Sequence, residues 1–305
     1  MNRDLAYSYL DSLLYNKKYS FITVRTYYLV LNRTLDHVEL QYPFFKLSDN
    51  ISKEMLYNIL KFARYKQNKS LASSSTYIHS ITILNKFSKY LKQKFNHLDT
   101  PFAKVKKCRS ANALPSPLSY KEISKVIQLN ADDFRQLLFK TIFCMLFASG
   151  LRVSEAINLK TSDIDMSAKE IFVRHGKGNK SRVVPFSSQD KLQLRKYLKE
   201  RSEIVPGSEF LFVNTRGEQL NYNFILSGLN EIAKQAGLFK HITPHMLRHA
   251  FATELLKGGA DIRSIQEMLG HSTVSSTQIY TKVDYNHLKE VLKKSHPAWN
   301  PCRRK

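Results

Sequence analysis

Three positive side chains, two imidazoles and one phenol occupy unusual settings in the last two-thirds of the sequence. Arg152 comes just after an apolar run closed by Gly150, and Lys177 sits in the tight GKGNK turn. His245 and Arg248 stand three apart in PHMLRHAFATELL, a spacing that puts both on one helix face. His271 follows Gly270 in MLGHS, and Tyr280 lies nine residues further on. These groups suit the attack of a phenolic oxygen on a phosphodiester. The transition state gathers extra negative charge on the non-bridging oxygens, and guanidinium groups meet it in two-pronged geometry without a metal. A phenol with an ordinary pKa of about 10 is a weak nucleophile, so it needs a base or strong electrostatic help. The departing sugar oxygen needs a proton, which a hairpin lysine can give. No carboxylates are spaced for two-metal chemistry, and GKG is too short for a nucleotide-phosphate loop.

Each of these residues also has a plainer structural reading. Arg152 can cap or salt-bridge a helix end, and Lys177 can be an ordinary hairpin-tip lysine. His271 can be a helix-terminal residue with no role, and Tyr280 is one of 16 tyrosines. Glu155, one turn from Arg152, fits an orienting or balancing role better than a chemical one. Arg182, after the turn, either reaches a phosphate or complements acidic neighbours, and Lys180 is open in the same way.

The elements that must carry these residues are mainly α-helical. In the first hundred residues, Ser20 caps a helix with Tyr27, Leu31 and Leu35 inward, and Ser52 caps another with Met55, Ile59 and Phe62. A third helix opens in Ser73–Ser75, turns Ile78, Ile81 and Phe87 inward and displays Lys86, Lys89 and Lys92. The segment PFAKVKKCRSANALPSPL, with Pro101, Pro115, Pro117 and the basic Lys104, Lys106, Lys107 and Arg109, reads as a basic linker over 101–118. Ser119 and Glu122 then form a capping box, and DFRQLLFKTIFCMLFASG is a strongly apolar helix ended by Gly150. KEIFVRHGKGNKSRVVPF reads as a two-stranded hairpin with Ile171 and Val173 on one side and Val183 and Val184 on the other. A helix over KLQLRKYLKERSE, a short FLFVN strand and further helix follow. Residues 284–296 form an amphipathic helix with Leu288, Val291 and Leu292 on one side.

Bulk properties bound the partner. The chain has 305 residues, 43% hydrophobic, with 48 basic against 25 acidic side chains and a net charge of +23. This is long enough for two domains with real cores, and the charge points to a polyanion, nucleic acid above all. The excess is not a tail: residues 1–110 hold 19 basic and 7 acidic side chains, a net of +12. Cys108, Cys144 and Cys302 are scattered and odd in number, so no paired spacing points to zinc and no disulfide framework is expected. No apolar signal core and no stretch of about eighteen uncharged apolar residues is present, so the expectation is a cytoplasmic protein with no membrane partner.

ASGLRVSE, GKGNKSRVVPF, HMLRHAFAT and LGHSTVSSTQIYTKV resemble, in order and spacing, the four catalytic segments of the tyrosine recombinase (phage integrase) family, and most of all its Xer branch. The resemblance implies a helical, SAM-like core-binding domain over 1–100 and a mixed α+β catalytic domain with a small antiparallel sheet over 119–305. It implies that Tyr280 forms a 3′-phosphotyrosyl bond and that Arg152 and Arg248 grip the scissile phosphate. Lys177 is then the general acid, His245 assists proton transfer from the tyrosine, and His271 hydrogen-bonds the phosphate. Between His245 and His249, the resemblance selects His245 and leaves His249 to packing or a backbone carbonyl. DNA contacts are expected of Lys86, Lys89, Lys104, Lys106, Lys107, Arg109, Lys180 and Arg182. No cofactor or metal is called for. The implied reaction passes through a Holliday junction in a tetramer on two duplexes, with the 284–296 helix docking into a neighbouring subunit. A paralogous recombinase and a divisome-linked DNA translocase are the implied partners. Chromosome or plasmid dimer resolution is the leading role, integration or excision of a phage or mobile element the alternative. A type IB topoisomerase and a binding-only protein are the rivals of another class.

Overall fold

The computed structural model describes residues 2–65, 70–105, 118–174, 181–270 and 282–299. The chain divides into two compact units, Met1–Ala113 and Leu114–Lys305.

The first unit is helical: α1 (Asn2–Asp11), α2 (Phe21–Gln41), α3 (Lys53–Ala63) and α4 (Ser74–Lys94). Ser20, Ser52 and Ser73 each accept a backbone N–H three residues on, satisfying one of the orphan donors at a helix start. Tyr9 of α1, Tyr27 and Leu31 of α2, Met55 and Ile59 of α3, and Ile81 and Phe87 of α4 meet in one core. Two expected core positions shift. Ala63 fills the slot assigned to Phe62, which instead stacks on His37 with ring centroids 4.0 Å apart. Ile78 is only half-buried, and Leu84 and Leu91 complete the α4 face.

The second unit is built round α6 (Phe134–Ser149), whose side chains are almost all buried. A helix apolar on every side must sit at the centre of its unit, and α6 does. Packed against it are α5 (Tyr120–Gln128), α7 (Val153–Asn158), α8 (Ser188–Ile204), α9 (Tyr222–Gln235) and α10 (Pro244–Lys257). Its two buried hydroxyls are satisfied within the helix, Thr141 donating to Leu137 O at 2.7 Å and Ser149 to Met145 O. The capping box at Ser119 forms as expected. α11 (Ile262–Leu269) and α12 (Lys282–Ser295) close a smaller cluster in which Leu288 and Leu292 pack on Phe251, Leu255, Ile265 and Met268. The C-terminal helix therefore lies on its own unit.

The sheet is small and antiparallel, in the order β1 (Ile164–Asp165), β2 (Glu170–Val173), β3 (Arg182–Pro185). Ile171 faces Val184, Phe172 faces Val183 and Val173 faces Arg182. Neighbouring strand residues point to opposite faces, so Val183 and Val184 do not share a side: Val184 is buried, while Val183 is half-exposed. The FLFVN segment is not a strand. It makes single bridges, Lys160 with Phe210 and Val213 with Gln219, and side chains take up its carbonyls. Tyr197 Oη donates to Leu211 O at 3.0 Å, and Arg201 donates to Ser208 O and Phe210 O. Among the described residues no helix is long and apolar enough to cross a membrane.

Candidate active site

Three arginines converge on the C-terminal end of α11. Its last carbonyls have no partner within the helix, and each of three consecutive ones accepts from a different guanidinium. Met268 O accepts from Arg182 Nε at 3.2 Å, Leu269 O from Arg248 Nη2 at 2.6 Å and Gly270 O from Arg152 Nη2 at 3.0 Å. The partial negative charge of a helix C-terminus favours this arrangement. Gly270 ends the helix in the left-handed conformation, φ +63°.

The three arginines arrive from three elements. Arg152 precedes α7, Arg182 opens β3, and Arg248 lies in the second turn of α10, whose start is fixed by Thr243 and Pro244. Gly150 sets the α6–α7 turn at φ +60°, and its carbonyl accepts from Arg248 Nη1 at 2.6 Å. A side chain at Gly150 would collide with the Phe251 ring, the nearest atom lying 2.4 Å from an added Cβ.

One buried carboxylate balances the group. Glu155 accepts from Arg182 Nη1 at 2.9 Å and Nη2 at 2.7 Å, from Arg152 Nη1 at 2.9 Å and from the Arg152 backbone N–H at 2.8 Å. Burial would raise its carboxyl, but the Arg182 hydrogen bonds and charge, joined by those of Arg152, hold it below the usual range. Burial, reinforced by the Arg152 charge, lowers Arg248 to about 10. One negative charge against three positive ones leaves a cationic site that suits a phosphate.

Of the two readings left open for Arg182, the structure places it with the acidic neighbour. Its side chain is 5% exposed and its guanidinium is engaged on Glu155 and Met268 O, so it is not on the surface expected to meet DNA. The signal was in the strand period: Arg182 and Val184 are two apart and must share the buried face. The α11 carbonyl row, by contrast, has no mark in side-chain chemistry. His245 is exposed on α10, three residues from Arg248. His249 is exposed as well and not packed inside. Lys86, Lys89 and Lys104 are all exposed, and the Lys86 ammonium also donates to Tyr27 Oη at 2.9 Å and lies 5.6 Å from the ring centres of Tyr19 and Tyr27. Lys177, Lys180, His271, Tyr280, Lys106, Lys107 and Arg109 lie outside the described residues. Among the described residues, no three His, Cys, Asp or Glu side chains are grouped to hold a metal ion.

Comparison with known proteins gives a consistent result. Residues 117–287 match the model of the phage integrase family. The chain is 41% identical over 244 residues to the tyrosine recombinase XerC of Oceanobacillus iheyensis, covering 77% of this chain and 78% of that one. It is 33% identical over 300 residues to the tyrosine recombinase XerD of Listeria innocua, covering 96% and 99%. Among solved structures, the XerH site-specific recombinase bound to palindromic difH substrate in a post-cleavage complex aligns with a TM-score of 0.63 at 25% identity, over 90% of this chain and 80% of that one.

Proposed function

This chain belongs to the phage integrase family, the tyrosine recombinases, and we propose that Tyr280 is its nucleophile in site-specific DNA recombination of the Xer type. The Tyr280 oxygen attacks the scissile phosphorus, and the bond from phosphorus to the 5′ oxygen breaks. The product is a 3′-phosphotyrosyl link and a free 5′ hydroxyl. His245 takes the phenolic proton, Lys177 protonates the leaving 5′ oxygen, and His271 hydrogen-bonds the phosphate. Arg152 and Arg248 hold the non-bridging oxygens, where their remaining N–H groups stabilise the charge that develops. Reversal by a 5′ hydroxyl of the other duplex rejoins the strands without a nucleotide cofactor, because the covalent link keeps the phosphodiester energy. Two rounds, separated by a Holliday junction, complete the exchange.

The observation that carries this reading is the convergence of Arg152 and Arg248 on one helix end, with a buried carboxylate behind them. Residues 1–100 clamp the DNA together with the turn Pro101–Lys104, whose Phe102 is buried in that unit's core rather than free in a linker. The rest of the basic segment 101–118 meets the DNA backbone, and 119–305 does the chemistry. The working assembly is a tetramer on two duplexes in the cytoplasm, in which α12, packed on its own unit in the single chain, passes to the equivalent place on a neighbouring copy. Chromosome or plasmid dimer resolution is the role, with a paralogous recombinase and a divisome-linked translocase as partners.

Covalent trapping on nicked duplexes tests the proposal. A protein–DNA adduct at one defined site is expected from the parent and none from Tyr280→Phe, which still binds that site. An adduct that persists in Tyr280→Phe overturns the nucleophile assignment.

A further inference from the structure

The proposed mechanism leaves one guanidinium of the converging three without a task. Arg182 cannot reach a substrate: its side chain is 5% exposed, and both Nη atoms and Nε are directed to partners inside the protein. It touches Glu155, one of the two groups that hold Arg152, and the same helix end that supplies the other. Glu155 is shared between the two arginines, and Met268 O is the first of the three carbonyls whose third, Gly270 O, receives Arg152. The Arg182 side chain also packs under Gly270, where an added Cβ would lie 3.2 Å from Nη1.

From this geometry we infer that Arg182 is a positioning residue for strand cleavage, occupying Glu155 so that Arg152 stays divided between Glu155 and Gly270 O and free to meet the phosphate. The inference rests on the recombinase reading of Arg152. A buried carboxylate is costly without a cation on it, and Glu155 is 2% exposed at its side chain. With Arg182 in place, both Glu155 oxygens are met in two-pronged geometry, and Arg152 contributes one side-chain bond to Oε1 and its backbone N–H to Oε2. Without Arg182, Arg152 becomes the one guanidinium left on Glu155. It turns inward to take both oxygens and abandons Gly270 O. The DNA-facing surface is untouched, so the loss falls on the chemical step.

The experiment is single-turnover adduct formation by the full chain at saturating protein, on a nicked duplex carrying the recombination site. Arg182→Ala is expected to slow the rate constant roughly 10–100-fold, the scale on which misplacement of a reacting group by about 1 Å counts. Affinity for the same duplex stays within about twofold, because phosphate contacts elsewhere remain. Two readouts separate positioning from mere support of the fold. In an Arg152→Ala background, Arg182→Ala adds little further slowing, since groups acting as one unit are not additive. On a duplex with a neutral methylphosphonate at the scissile position, where the charge met by Arg152 has been removed, the penalty also shrinks. Arg182→Lys keeps the charge but not the fork, and restores part of the rate. If Arg182→Ala does not fold, Arg182→Lys carries the same comparisons.

A parental rate in Arg182→Ala overturns the inference, as does a penalty of equal size in the Arg152→Ala background. The recombinase reading fails separately, if Arg152→Ala cleaves as fast as the parent or Tyr280→Phe still forms the adduct.

Discussion

His296 and Asp190 are buried titratable groups on which folding imposes opposite pH dependences. His296 is fully buried between the rings of Phe147 and Phe251, at 4.7 and 5.2 Å. Its Nδ1 accepts a backbone N–H from Ala298, and its Nε2 has no hydrogen-bond partner among the described residues. Burial pushes its pKa down from 6.5 to about 3. The unfolded chain then binds more protons than the folded one between those values, so stability is lost as pH falls below 6.5. Asp190 behaves the other way. Its carboxylate accepts from Ser187 in a buried capping box, yet burial outweighs those bonds and pushes it up from 3.8 to about 6. Its contribution is present below 3.8 and lost as pH rises through 6. Thermal melts from pH 4.5 to 7.5 read both effects. His296→Leu gains on the parent as pH falls, and Asp190→Asn gains as pH rises. Either gap staying constant across that range contradicts the burial account.

At the scale of elements, α12 offers a sharper test of assembly than truncation. Deleting it would expose Leu255, Ile265 and Met268, so lost activity would follow from a damaged core alone. A single ion pair is gentler: Lys289 of α12 donates to Glu170 of β2 at 3.1 Å and to Ala168 O at 3.2 Å. Lys289→Glu alone and Glu170→Lys alone each place like charges together, at a cost of about 1 kcal/mol for a partly buried pair. Within one copy, mixing the two variants changes nothing. In an alternating tetramer with α12 exchanged, every junction regains one carboxylate and one ammonium. Recombination by the mixture above that of either variant is therefore expected, and a simple average of the two contradicts exchange. The helices themselves were legible beforehand, since Ser20, Ser52, Ser119 and Gly150 mark helix ends by local hydrogen-bonding chemistry. Arg152 and Glu155 stand out for the same local reason, beside the helix end at Gly150, whereas the role of Arg248 rests on the resemblance of HMLRHAFAT to a catalytic segment. FLFVN misled because an apolar run shows burial but not hydrogen-bond partner, and its carbonyls went to Tyr197 and Arg201. The carbonyls of Met268, Leu269 and Gly270 were invisible, because a backbone oxygen gains its role from where three distant segments bring their arginines.

Across the whole molecule the positive charge is shared almost evenly, +12 in residues 1–110 out of +23. Both units are thus equipped to neutralise phosphates, and each cation that does so releases condensed counterions. DNA affinity should therefore fall steeply with salt, by about 10³ or more between 50 and 200 mM if six or more phosphates are met. The lysines divide by what they already hold. Lys89 and Lys104 are exposed, and Lys89→Ala or Lys104→Ala is expected to flatten the slope of log affinity against log salt by about one each, equally on specific and random duplexes. The Lys86 ammonium is already placed against Tyr27 and Tyr19, so Lys86→Ala should change the melting temperature more than the slope. Arg248→Ala separates the two functions of positive charge in this protein. It sits at the reacting phosphate in the proposed mechanism, so its removal should leave the slope nearly intact while cleavage collapses. A slope that drops with Arg248→Ala but not with Lys89→Ala or Lys104→Ala would mean that docking, too, is concentrated at the α11 end and that the surface lysines serve only solubility.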